Sequence, residues 1–169
     1  MSILEIITQE TKDIRELFRK LNYITDCCAT RNSLIYGSAV SIIDTYEEMM
    51  AVKSAFNQTD RTAFKHYVLS IEEYEEISLL SFKHLAIEVC EFISNFYGKF
   101  QVLMAVHLNE DNLHVHYIAN TIDYLTGCRI NLNMRRLEEL KYFISKILRS
   151  YNISSIRMKH YYTADYATE

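Results

Sequence analysis

The stretch His107-Leu108-Asn109-Glu110-Asp111-Asn112-Leu113-His114-Val115-His116 places three of the chain's six histidines within ten residues. Side chains alternate faces along a strand, so His114 and His116 point the same way. The run Asn109–Asn112 has the chemistry of a tight turn. It folds the chain back, so that His107, ending the preceding strand, comes beside the other two. Three neutral imidazoles then converge on one point. Imidazole is the commonest biological metal ligand, and three protein ligands leave positions open, as a catalytic metal requires. The competing reading is three unrelated polar residues at a sheet edge. His66, His84 and His160 read as structural or exposed, with His66 able to support the site from a neighbouring strand.

Working outward, Phe100–Val106 is a nearly continuous apolar run, as in a central strand buried on both faces. Leu113–Asn120 is its antiparallel return. Phe64–Ile71 and the short run Ile3–Ile7 also read as strands, while residues 34–42 are ambiguous. Helical periodicity predicts four helices. The first is capped by Thr11 and runs to about Asn22, with Ile14, Leu17, Phe18 and Leu21 on one face. Tyr23 follows it directly. The second spans about Asp44–Phe56. The third spans about Ser81–Tyr97, with Leu85, Val89, Phe92, Ile93 and Phe96 inward and Gly98 as a left-handed cap. The last starts at Asn131 or Asn133 and reaches about Tyr151, on a stripe of Leu137, Leu140, Ile144 and Ile147. The pattern predicts an α+β fold, a mainly antiparallel central sheet with helices packed on its faces.

The 169 residues fit a single domain spanning 1–169, and 49% hydrophobic content allows a real core. No apolar run approaches membrane-spanning length, and no signal pattern opens the chain, so the expected location is cytoplasmic, with no membrane partner. Cys27, Cys28, Cys90 and Cys128 lack metal-ligand spacing and read as reduced thiols. The net charge is −4. It divides unevenly, since residues 129–169 hold 8 basic and 4 acidic side chains. Arg129, Arg135 and Arg136 begin that basic quarter, a stripe able to meet phosphates or simply a solvated helix face.

Three segments in order resemble the motifs of conjugative relaxases, the MobA/VirD2-like mobilisation nucleases of the HUH endonuclease superfamily. Asn22-Tyr23-Ile24-Thr25-Asp26 looks like the first, His66-Tyr67-Val68-Leu69-Ser70 like the second. Asp111-Asn112-Leu113-His114-Val115-His116, followed by Ala119-Asn120, looks like the third. Thr126-Gly127 and the basic helix after it also agree. The resemblance implies that Tyr23 is the nucleophile and that Ser70 lies near the DNA. It implies that His107, His114 and His116 hold a divalent ion, Mn²⁺ or Mg²⁺. It further implies DNA contacts from Asn120, Arg129, Arg135 and Arg136. The substrate would be single-stranded DNA at a transfer origin, with accessory relaxosome proteins as further partners. The implied reaction is strand-specific nicking and transfer through a 5′-phosphotyrosyl link, which initiates mobilisation of a plasmid or mobile element.

An ordinary phenol costs about 4 kcal/mol to ionise at pH 7, which a nearby cation offsets. Asp111, Glu110 and Glu72 are candidate acceptors of the proton. The chain departs from the family pattern in carrying Asn109 where an acid is common and Ala29-Thr30 in place of Lys-Thr. Alternative readings are a single-tyrosine replication initiator or transposase using Tyr142 or Tyr151, with Tyr36 and Tyr46 as fallback nucleophiles. A catalytically weakened origin-binding relative and an unrelated histidine-metal hydrolase complete the set.

Overall fold

The computed structural model describes residues 3–7, 13–71, 77–108 and 112–156. The strands are β1 (Ile3–Ile7), β2 (Ile35–Ser38), β3 (Phe64–Ser70), β4 (Val102–His107) and β5 (His114–Asn120). The α-helices are α1 (Ile14–Ile24), α2 (Thr45–Ala55), α3 (Leu79–Ser94) and α4 (Met134–Ser150). The strands form one sheet in the order β1-β3-β5-β4-β2, and every neighbouring pair is antiparallel. The fold is α+β, and the ambiguous residues 34–42 contain the edge strand β2.

Every residue of β4 and β5 is buried, because helices cover both faces of the sheet. One face carries Tyr67, Leu69, Val102, Met104, Val106, Val115 and Tyr117 against α3 and α4. The other carries Phe64, Leu103, Ala105 and Ile118 against Leu17, Leu21 and Ile24 of α1 and Met49 of α2. Each such aliphatic side chain contributes about 1.5–3 kcal/mol by leaving water.

Helix starts follow side-chain chemistry. The Ser78 hydroxyl accepts the Ser81 N–H at 3.1 Å, and the Asn133 side-chain oxygen accepts the Arg136 N–H at 2.9 Å. Thr11 lies outside the described residues; Asp13 caps α1 by accepting the Arg15 N–H. Two expectations are corrected. Phe18 is half exposed, its ring edge-on to Tyr46 rather than in the core. The left-handed residue after α3 is Tyr97, with φ of 55°, not Gly98. Gly98 answers a different need: a Cβ there would sit 2.6 Å from the Phe100 ring.

Candidate metal centre

The β4–β5 register sets His107 directly opposite His114. Alternation then puts His107, His114 and His116 on the sheet face covered by α1. All three are buried, and one ring nitrogen from each lies within 4.8 Å of the others. Asp26, Cys27 and Cys28 also bring ligand atoms that close, but they are consecutive exposed residues whose proximity follows from adjacency.

The other ring nitrogens are held from outside. His107 Nε2 donates to the Ile24 carbonyl at 2.9 Å, and His114 Nδ1 donates to the Asn112 carbonyl at 3.0 Å. His116 Nδ1 meets His66 Nε2 at 2.9 Å. Carbonyls only accept, so the lone pairs of neutral His107 and His114 fall on Nδ1 and Nε2 respectively. His116 Nε2 is buried with no hydrogen-bond partner. That orphaned atom among convergent imidazoles fits a metal ion, with the outer contacts fixing ring orientation. Burial pushes His116 down to about 3, and the neighbouring His107, His66, His114 and Lys20 add to it. Burial likewise pushes His66 down to about 4, with Lys20 and His107 adding to it. Both rings are therefore neutral at physiological pH, the form that binds metal.

Tyr23 sits inside the last turn of α1, which runs on to Ile24, rather than directly after the helix. Its ring is half exposed, edge-on to His107 at 5.8 Å and to His116 at 5.7 Å between centroids. The His107–Ile24 hydrogen bond ties this helix end to the histidine strand. The segment after Tyr23 is fastened there too. Thr30 Oγ1 donates to the Val106 carbonyl at 2.5 Å, and Leu108 N–H donates to the Ala29 carbonyl at 2.8 Å. Lys20, one turn before Tyr23, places Nζ 5.5 Å from the Tyr23 ring centroid. No motif marked Lys20; its i, i+3 spacing from Tyr23 on a helix was the available signal.

Ser70 pairs with His114 across β3 and β5, and alternation puts it on the histidine face. Asp111, with Asn109, Glu110 and Glu72, lies outside the described residues.

The residues expected to meet DNA are not gathered at this centre. Asn120 is four residues beyond His116 along β5, about 13 Å at strand rise. It is fully buried and donates its amide to the Met49 carbonyl and Gln101 Oε1. Arg129 lies at that far end, 3.5 Å from Thr121 Oγ1. The same hydroxyl accepts from buried Lys53 at 3.0 Å. Arg135 pairs with Glu139, and Arg136 stacks over Tyr97, at the start of α4.

This fold and this centre define a relaxase nuclease domain. The family model for the relaxase nuclease domain, MobA/VirD2-like, matches residues 23–153, and the chain belongs to that family, a class of HUH-type DNA-nicking enzymes. Protein rlx of Staphylococcus aureus is 27% identical over 104 residues, 62% of this chain and 30% of that protein. The chain thus spans about 30% of the length of that curated relative. Among solved structures, an Mn-bound MobM relaxase domain (MOBV; Mob_Pre) on plasmid pMV158 oriT DNA is 12% identical. It aligns over 99% of this chain and 94% of its own at a TM-score of 0.65. A chain solved in work on vancomycin resistance transfer in Staphylococcus aureus is 16% identical, covering 75% of this chain and 76% of its own at 0.53. At these identities the structures establish the shared fold. Among the described residues, no helix is long and apolar enough to cross a membrane.

Proposed function

We propose that the chain nicks one strand of transfer-origin DNA in the cytoplasm, with Tyr23 as the nucleophile, to start mobilisation of a plasmid or mobile element. The observation that carries this reading is the Tyr23 ring set against both His107 and His116. His107, His114 and His116 would hold a divalent ion, Mn²⁺ rather than Mg²⁺ on donor chemistry. When bound, that ion supplies Lewis acidity beside the scissile phosphate.

The Tyr23 phenol oxygen attacks phosphorus and the bond to the 3′ oxygen breaks. Tyr23 keeps the 5′ phosphate, and the departing oxygen takes a proton to become a 3′-hydroxyl. The phenolic proton passes to Asp111, Glu110 or Glu72, with Asp111 the first candidate. Lys20 and the Ser70 hydroxyl would contact the phosphate. Arg129, Arg135 and Arg136 would meet phosphates of the same DNA away from the nick, and accessory relaxosome proteins would open the duplex.

The later-helix alternative is disfavoured by placement. Tyr142 and Tyr151 belong to α4 and its C-cap, and α4 packs on the opposite face of the sheet from the histidines. Tyr36 Oη donates to Glu91 at 2.7 Å, which, with burial, pushes it up to about 12.

Incubation with Mn²⁺ and a supercoiled plasmid bearing the cognate origin is expected to give open circles with protein covalently attached. Tyr23→Phe should lower that product by about a thousandfold or more. Persistence of the adduct in Tyr23→Phe would overturn the assignment.

A further inference from the structure

Shortly after Tyr23 the chain carries two adjacent thiols, Cys27 and Cys28. Both are exposed, and the nicking chemistry uses neither. Their sulfurs and a carboxylate oxygen of Asp26 lie within 4.8 Å of one another. Adjacency accounts for that proximity, and adjacency also gives the pair its chemistry. A disulfide spans Cα atoms roughly 4.4–6.8 Å apart. Neighbouring residues across a trans peptide are only about 3.8 Å apart. Closing the pair on itself would strain the backbone, so the sulfurs stay available as a dithiol. Two sulfurs held at about 2.3 Å by one tetrahedral ion stand roughly 3.8 Å from each other. Exposed side chains reach that spacing from the observed one by a small torsional adjustment.

The turn that carries the thiols is fixed on both sides. Asp26 N–H donates to the Tyr23 carbonyl at 3.4 Å, and the Ala29 and Thr30 N–H groups donate to the Asp26 carbonyl at 2.9 and 3.0 Å. Cys28 N–H donates to Asp26 Oδ1 at 2.8 Å, which keeps the carboxylate beside the thiols. Beyond them, Thr30 Oγ1 and the Ala29 carbonyl are bonded to Val106 and Leu108, at the end of the histidine strand β4. A chelate ordered in advance loses little freedom when an ion arrives.

Charge favours a cation here. The Asp26 carboxylate and Cys27 hold the Cys28 thiol above its ordinary range. A cation that replaces the thiol protons relieves this crowding of negative charge. The ligand type then sets the ion. Thiolates select soft and borderline ions, whereas Mn²⁺ binds such ligands weakly. The pair therefore differs in kind from the three-imidazole centre.

We infer that Asp26, Cys27 and Cys28 form a second metal site, for a thiophilic divalent cation of the zinc or cadmium class, on the turn next to Tyr23. Each ion bound sends two thiol protons to solvent. Two thiolates and one carboxylate make a three-ligand set whose open position water fills. The inference does not depend on the nuclease reading.

The test is titration of the whole chain, reduced with a phosphine and saturated with Mn²⁺, using Cd²⁺ alone as the probe. Ultraviolet absorption reads the thiolate-to-cadmium charge transfer, which imidazole and carboxylate ligands do not give. The band is expected to saturate at about one ion per chain, with about two protons released per ion. Cys27→Ser/Cys28→Ser should lose the band, and each single variant should lose most of it. Circular dichroism should show all three folded, since both side chains are exposed. Asp26→Asn should keep the band and weaken the binding. Cys128→Ser should leave both unchanged, because Cys128 is not among the clustered ligands. No band in the unsubstituted chain, or an undiminished band in the double variant or in either single variant, would overturn the inference. So would loss of the band in Cys128→Ser.

Discussion

At the scale of the residue, the site is a matter of which nitrogen of each ring is already engaged. The clustering of His107, His114 and His116 was legible because strand alternation and a turn are local rules. Their outer partners were less so. The Ile24 carbonyl that orients His107 comes from 83 positions away in sequence, and only tertiary packing brings it there. His66 was placed on a neighbouring strand by pattern, but its contact with His116 Nδ1 depends on a register that the sequence does not specify. Removing that contact tests its role. His66→Phe keeps the ring volume and deletes the partner, and Mn²⁺ affinity by titration calorimetry is expected to fall about 10–100-fold. An unchanged affinity would show that His66 is only packing.

Among the elements, the periodic helices and the apolar strands were readable because each buries one stripe or two faces. Boundaries and ends were less so, since side-chain caps compete. Asn133 is the cap of α4, and Asn133→Ala should lower unfolding stability by about 1 kcal/mol in denaturant titration. α2 buries a lysine that nothing in its sequence marked. Lys53 Nζ is pushed down to about 7 by burial and by Arg129. Above its unfolded value of 10.5 the burial penalty is absent, and it is complete once the pH falls through 7. Lys53→Met should therefore stabilise the protein by roughly 1–3 kcal/mol at pH 6 and by much less at pH 10. Equal gains at both pH values would show that Lys53 is not a buried charge.

Over the whole molecule, one sheet separates two tasks. The α1 face holds the histidines and Tyr23, while the α3–α4 face supplies most of the apolar core. Charge asymmetry along the sequence marked a basic C-terminal quarter but not its distance from the histidine cluster. Linear order does not tell that β5 runs away from His114 toward Thr121 and Arg129. The covalent intermediate is the point where both readings meet. After reaction with origin DNA and Mn²⁺, nuclease trimming and trypsin release Leu21–Arg31, a peptide whose only tyrosine is Tyr23. Mass spectrometry of that digest should find the nucleotide phosphate on Leu21–Arg31. A nucleotide on the Tyr142 or Tyr151 peptide instead, with Leu21–Arg31 unmodified, would contradict the account.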